Sequence, residues 1–334
     1  MTEYLDCTIR DGGYNNNWAF DDEFVVNLYN TISKIGYDYL EIGFRNSLHC
    51  KNTGKYYNLS DEDIYAIWNK SENRCKIAIM VTLNRFKVED FCEKKNSKVD
   101  LIRLLVHRES GTYDMHNVFE TGRALMDKGY EVAINIANAN CLTSTDIETV
   151  IDKYDQTTNK LKCIYLADTF GSFTPELVTK IKLMFKHVPI GFHGHNNTHN
   201  ELINSLRAID NKYAMVDSTM NGYGKNSGNT QTELLTYYKN GNFNYFADIF
   251  SFFNLYKNVY SNFDVYRLLC FISGHTDTHT DYINFLIDKF GNDDFVVLFN
   301  KLMRVIEYTK NSIHKNDSSS QRDLIPRLIE QQIL

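Results

Sequence analysis

Proline is close to missing: there are 3 in 334 residues, where average usage of about 5% would give about 17. Pro-rich linkers and collagen-like segments are thereby excluded. No apolar run approaches the roughly 18 residues that cross a bilayer, so no transmembrane helix is expected. Lys and Arg form no cluster and the net charge is −6, which argues against a nucleic-acid surface. The seven cysteines (Cys7, Cys50, Cys75, Cys92, Cys141, Cys163 and Cys270) are scattered and include no C-x-x-C. That pattern suits free thiols in a reducing cytoplasm rather than a disulfide frame or a cysteine zinc site. The opening MTEYLDCTIRDGG has an acidic residue at once and no long apolar core, so a secretory signal is not expected.

What is present is a globular chain. Its hydrophobic share of 43% is enough to bury a core of good size at this length. The length fits two domains of roughly 150 residues, or one α/β barrel of about 250 with an appendage. Short β-branched runs at 3–8, 37–43, 76–83, 99–106, 131–136, 163–167, 190–195 and 215–219 read as strands. Helical patterns lie between them at 21–35, 60–69, 87–94, 114–128, 144–154, 175–186, 199–209 and 230–239. Eight of each is the count of a TIM (β/α)8 barrel, and strands this continuously apolar are buried on both faces. A doubly wound open sheet would want a G-x-G-x-x-G loop after the first strand, and Arg10-Asp11-Gly12-Gly13 does not supply it. The expected division is a catalytic barrel at 1–240 and a C-terminal helical region at 241–334. Helices are expected there at 246–260, 266–271, 282–290 and 295–309, with a polar connection at 311–321. Within it, Gly274 to His279 reads as an ordinary helix start, although His275 and His279 at i, i+4 could also form a lid group.

In a barrel, chemistry sits at the C-terminal ends of the strands. Nearly every predicted strand here ends in charged or amide groups. His193 and His195 are two imidazoles on one face of a strand end, which can share a cation. Asp11 is the natural third ligand, followed by two glycines that let the backbone turn tightly. Two imidazoles, a carboxylate and waters make an octahedral-type site that suits Mn²⁺ or Mg²⁺, with Zn²⁺ or Co²⁺ possible. No cysteine is expected near it. Gly222-x-Gly224-x3-Gly228-Asn229 is a glycine-rich loop, readable as a phosphate cradle or as a plain loop of left-handed glycines.

Three ordered motifs carry a resemblance. Leu5-Asp6-x-Thr8-Ile9-Arg10-Asp11-Gly12, His193-x-His195-x-Asn197 and Gly222-x-Gly224-x3-Gly228-Asn229 resemble the DRE-type TIM-barrel metallolyases. That group includes 4-hydroxy-2-oxovalerate aldolase, hydroxymethylglutaryl-CoA lyase, isopropylmalate synthase and homocitrate synthase. The resemblance covers about residues 3–240. It implies that Asp11, His193 and His195 bind a divalent metal, with Asn229 a ligand or close by. It implies that Arg10 stabilises an enolate. Glu41 could match a glutamate near strand two of the synthases and lyases, with a buried, paired strand residue as the plain alternative. Arg45 is placed to hold a second carboxylate or phosphate, or to pair on a helix. Where the pyruvate aldolases carry a histidine as acid/base, this chain has Tyr14, which reads equally as a base or as a positioner. Asp168-Thr169-x-Gly171 matches a D-T-x-G of these families. Asp168, Thr169, Asn197 and Gly224 are the substrate-binding candidates.

The function implied is a metal-dependent aldolase acting beside a 2-oxo acid such as pyruvate, with an aldehyde as second substrate. The alternatives are an acyl-CoA-dependent Claisen synthase or lyase, and a non-catalytic barrel serving as a scaffold. A homo-oligomer or a docked dehydrogenase is the partner expected by analogy. Neither a nucleic acid nor a membrane is expected.

Overall fold

Eight parallel strands close into a barrel: β1 (Glu3–Asp6), β2 (Tyr39–Phe44), β3 (Lys76–Thr82), β4 (Val99–Val106), β5 (Glu131–Ile136), β6 (Ile164–Asp168), β7 (Ile190–Gly194) and β8 (Met215–Ser218). Each strand pairs with the next in sequence, and β8 returns to β1 with Met215 opposite Glu3. Closure excludes the open-sheet alternative. The computed structural model describes residues 1–48, 52–72, 74–157, 161–259, 265–278, 280–291 and 294–309. The chain divides into two compact units, the first spanning Met1–Lys239 and the second beginning at Asn240.

The barrel helices are α2 (Asp22–Lys34), α3 (Asp61–Lys70), α4 (Met115–Asp127), α5 (Ser144–Asp155), α6 (Pro175–Met184), α7 (Glu201–Asp210) and α8 (Thr232–Asn240), with a further helix α1 (Thr8–Asn16) ahead of them. Local signals set several starts. Ser60 and Thr143 close capping boxes on α3 and α5, and one of the three prolines opens α6 behind the Thr174 cap.

Two expectations within the barrel are corrected. The first strand stops at Asp6 instead of running to residue 8, and Arg10 to Gly13 are helical. Asp6 accepts the Thr8 N–H at 2.9 Å, and the Thr8 hydroxyl accepts the Met220 N–H at 2.8 Å. Gly12 and Gly13 serve close packing, not a tight turn: a β-carbon on either would strike the Tyr223 or Trp18 ring. The second correction is at 87–94, which holds two short 3₁₀ turns, Val88–Asp90 and Lys94–Asn96, and no α-helix. Phe91 between them is extended and buried, with its ring against Phe86, Tyr130 and the Arg45 guanidinium. That tertiary anchor outweighs helical periodicity over so short a connection.

The barrel interior is layered by the two-residue period of its strands. Leu5, Tyr39, Leu101, Ala133, Cys163 and Met215 belong to one apolar cluster. Two residues further on, the same strands carry Glu41, Arg103, Asn135 and Asp217, all buried. Arg103 is fully buried at the centre of this polar layer. Its Nη1 donates to Glu41 at 2.9 Å, its Nη2 to Asp217 at 2.6 Å, and its guanidinium lies 4.0 Å from the Tyr165 ring centre.

The second unit packs as helices α9 (Phe246–Leu255), α10 (Val265–His275), α11 (Asp281–Phe290) and α12 (Phe295–Thr309). Phe250 and Phe299 stack at 5.2 Å between α9 and α12. His275 ends α10, its ring 4.5 Å from Phe271, so the expected helix start is a helix end. His279 and residues 311–321 lie outside the described residues.

Two stability predictions arise from the buried charges. Arg103→Met strands two buried carboxylates and should cost about 3–5 kcal/mol, or roughly 6–20 °C in Tm by calorimetry. An unchanged Tm would show that the polar layer does not depend on Arg103. Glu233, buried at the start of α8, accepts the Asn221 N–H at 3.0 Å, and burial pushes its acid from 4.5 up to about 7. The folded chain then holds a proton that the unfolded chain releases, so this stabilisation is present below about 4.5 and lost as pH rises through about 7. Glu233→Gln should therefore show a smaller fall in unfolding free energy between pH 5 and 8 than the parent, measured by urea titration at both pH values.

Candidate active site

The C-terminal ends of β1, β7 and β8 converge on one buried cluster. Asp11 comes from the first turn of α1. His193 sits on β7, and His195 follows directly and bridges to Asn229 beyond β8. The two imidazoles stand 5.0 Å apart and nearly perpendicular. Asp11 Oδ2 is 3.6 Å from His193 Nε2. One nitrogen or oxygen from each of Asp11, His193 and His195 lies within 4.8 Å of the others.

The Asn229 amide nitrogen donates to the Gly194 carbonyl at 3.1 Å, so its oxygen faces the other way. A β-carbon on Gly224 would run into that oxygen and lie 3.0 Å from Asp11 Oδ2. Asp11 Oδ2 and Asn229 Oδ1 are both buried, and neither meets a hydrogen-bond donor among the described residues. Neighbouring buried acceptors without donors are costly unless a cation or ligand satisfies them. With two imidazoles beside them, this donor set fits a divalent metal.

Behind the cluster runs a closed circuit of charge. Arg10 donates from Nη1 to Asp11 at 2.8 Å and from Nε to Glu41 at 2.7 Å. Glu41 also accepts from Arg103, and Arg103 donates to Asp217. Asp217 then meets His193 Nδ1 at 2.8 Å. The tautomer that donates Nδ1–H to Asp217 leaves the Nε2 lone pair facing Asp11. Burial, helped by Arg10, holds the His193 pKa well below the ordinary histidine range, so the imidazole is neutral and can act as a ligand. Burial alone would raise Asp11, but the Arg10 guanidinium opposes it and the net shift is downward. Arg10 keeps Nη2 buried and without a partner among the described residues.

The other sequence-picked residues fall outside this cluster. Arg45 is buried with Nε on the Leu59 carbonyl at 2.7 Å and Nη2 on Asp61 at 3.2 Å, bracing the segment from β2 to α3. Asp168 accepts the Ser172 and Phe173 N–H groups, each at 2.9 Å. Thr169 accepts the Asn138 N–H at 2.8 Å. Asn197 donates to the Phe170 carbonyl at 3.0 Å and accepts the Ser227 N–H at 3.4 Å. Together these three tie the loops after β5 to β8. In the glycine-rich loop the N–H groups of Gly222, Tyr223, Gly228 and Asn229 all donate within the fold, which leaves little of a phosphate cradle. Tyr14 is 44% exposed, edge-on to Trp18 at 4.8 Å, and burial of its phenol pushes the pKa up to about 12, with Asp11 acting in the same direction.

Two residues that hold the circuit, Arg103 and Asp217, escaped sequence reasoning. Their signal was a charged residue two places beyond an apolar one inside a strand. The expectation that no cysteine lies near is also corrected: Cys7 Sγ is 4.0 Å from His193 Nδ1 and donates to the Ser218 carbonyl.

Comparison with known proteins agrees with this geometry. The HMGL-like family model matches residues 2–241. An oxaloacetate decarboxylase from Mycobacterium tuberculosis is 25% identical over 234 residues, covering 69% of this chain and 68% of the relative. A 4-hydroxy-2-oxovalerate aldolase from Pectobacterium atrosepticum is 28% identical over 250 residues, covering 69% and 67%. The solved N-terminal domain of a candidate aldolase from Bacteroides vulgatus is 27% identical with a TM-score of 0.66, covering 87% of this chain and 98% of that one. With its barrel matched from end to end, the chain belongs to the HMGL-like family and so to the DRE-type TIM-barrel metallolyases, enzymes that make or break a carbon–carbon bond.

Proposed function

We propose that this enzyme is a divalent-metal-dependent aldolase that makes or cleaves a carbon–carbon bond beside a pyruvate-type 2-oxo acid. One observation carries the reading: Asp11, His193 and His195 meet in a buried cluster beside the donor-free oxygens of Asp11 and Asn229. These residues would hold Mn²⁺ or Mg²⁺, with Zn²⁺ or Co²⁺ the less suited choices for a site of this hardness. A bound divalent cation supplies Lewis acidity that polarises the carbonyl of a chelating 2-oxo acid.

The chain's own groups do the rest. Glu41 and Asp11 grip two edges of the Arg10 guanidinium and fix its plane, which leaves Nη2 to neutralise the enolate oxygen as charge develops. Glu41 is a positioning residue in this scheme. In the direction of addition, the enolate carbon bonds to an aldehyde carbon, and the aldehyde oxygen takes the electron pair and then a proton. Tyr14, neutral with a pKa near 12, is a hydrogen-bond donor to that oxygen, not a ready base. The aldolase reading is preferred to the Claisen one because the first relatives are named for 2-oxo acids, oxaloacetate and 4-hydroxy-2-oxovalerate. The free thiols among the described residues fit a cytoplasmic setting.

Two tests address this reading. EDTA should abolish turnover of pyruvate with aldehydes and Mn²⁺ or Mg²⁺ should restore it, while Asp11→Asn should come off the column without metal by elemental analysis. Full activity in chelator, or a normal metal content in the variant, would overturn the metal assignment. Tyr14→Phe should lower kcat by roughly 10²- to 10⁴-fold with little change in the KM for the 2-oxo acid. A kcat within a few-fold of the parent would remove Tyr14 from the proton transfer.

A further inference from the structure

A cavity of about 740 Å³ opens at the C-terminal ends of β2, β3 and β4, lined in part by Tyr14 from α1. One wall is aromatic. Trp18 sits 4.8 Å from Tyr14, 4.7 Å from Tyr57 and 5.7 Å from Phe44, centre to centre. The remaining lining includes Arg85 and His107, and among the described residues no Asp or Glu contributes to it.

Arg85 is the unusual member. It stands on the turn that follows β3, with its backbone tied by Arg85 N–H to the Thr82 carbonyl and Leu48 N–H to its own carbonyl. Its guanidinium makes one long hydrogen bond, 3.4 Å to the Tyr57 hydroxyl, and pairs with no carboxylate among the described residues. Arg10 and Arg45, at the same end of the barrel, each grip a carboxylate. The surroundings are positive as well. The Lys225 ammonium lies 5.1 Å from the Tyr14 ring centre. Burial lowers the His107 pKa, and Arg85 and Lys225 act in the same direction against Glu109.

We propose that this cavity is the acceptor subsite and that it takes an aldehyde carrying an anionic group, a phosphate or a carboxylate, several bonds from its aldehyde carbon. Arg85 is the clamp for that group. The inference rests on the aldolase reading and deepens it. A volume of this size matches sites of about 300–1,000 Å³ that hold whole small molecules, and a two-carbon aldehyde would leave most of it empty. The planar guanidinium matches two oxygens of a phosphate or carboxylate, and the aromatic wall covers the carbon chain between. Tyr14, in the cavity wall, links the two places. It is three residues from Asp11 on α1, so the two share a helix face. The aldehyde end at Tyr14 would then meet the enolate carbon: a methyl proton of the 2-oxo acid passes to solvent, the new carbon–carbon bond forms, and the aldehyde oxygen takes a proton, replaced from solvent, to end as a hydroxyl.

The test compares matched aldehydes on the metal-loaded enzyme with pyruvate. Glyceraldehyde 3-phosphate is set against glyceraldehyde, and succinic semialdehyde against butanal. The expected kcat/KM ratio of anionic to neutral aldehyde is roughly 10- to 100-fold in at least one pair, and that pair names the anion. In Arg85→Met the ratio should fall to near one, with Arg85→Lys between. A ratio taken within one preparation cancels any loss of folded enzyme. A ratio near one in the parent, or an unchanged ratio in Arg85→Met, overturns the subsite. Exchange of pyruvate methyl protons with D₂O, followed by NMR without aldehyde, tests the underlying reading by itself. Absent exchange sinks the aldolase reading and the subsite with it, whereas exchange without anion preference sinks the subsite alone.

Discussion

The Arg103 guanidinium in the dry centre of the barrel is the interaction on which the site depends. It holds Glu41 on one side and Asp217 on the other, with neither carboxylate exposed. A buried charge survives only when paired and hydrogen-bonded. Here each carboxylate passes the constraint outward. Glu41 fixes the plane of Arg10, and Asp217 fixes the ring and tautomer of His193. Both outward ends arrive at Asp11, so a group in the middle of the core sets the geometry at the mouth.

Charge balance explains why this arrangement favours a cation. Three carboxylates (Asp11, Glu41 and Asp217) face two guanidiniums (Arg10 and Arg103), and burial keeps His193 neutral. Counted as ionised, the circuit has one negative charge in excess, next to two imidazoles. A mono-anionic 2-oxo acid entering alone would add to that excess. With a divalent cation held there the local sum would reverse, and the carboxylate of a 2-oxo acid would balance it. Metal and substrate would then be coupled through electrostatics.

Much of this was legible in the sequence, for identifiable reasons. Parallel strands buried on both faces leave continuous apolar runs, so the barrel count could be read directly. His193 and His195 were legible because a two-residue spacing on a strand has one geometric meaning. Arg103 and Asp217 were harder, because a charged residue two places beyond an apolar one inside a strand hints at burial but does not name its partners. Their meaning lies in register, where four strands bring Glu41, Arg103, Asn135 and Asp217 to one level. Gly12-Gly13 misled for a related reason. A glycine pair signals a turn locally, but here it is required by rings 5 and 211 residues away, Trp18 against Gly13 and Tyr223 against Gly12. At 87–94 the buried Phe91 overrode a helical pattern in the same way.

The short helix α1 then ties the buried cluster to the neighbouring cavity. In nine residues it carries Arg10, Asp11 and Tyr14, and its own packing decides where each one points. The close approach of Tyr223 and Trp18 to its two glycines seats it on the barrel end, and the Trp18 indole N–H donates back to the Arg10 carbonyl at 2.9 Å. Asn15 ties its far end to the Gly224 carbonyl at 2.9 Å. Trp18 therefore works on both sides: its indole nitrogen anchors Arg10 beside the buried cluster, and its ring forms part of the aromatic wall of the neighbouring cavity. One helix thus sets both the buried cluster and part of the cavity wall, so their relative placement does not depend on a separate motion. A loop at this position, free to turn at Gly12-Gly13, would lose that registration.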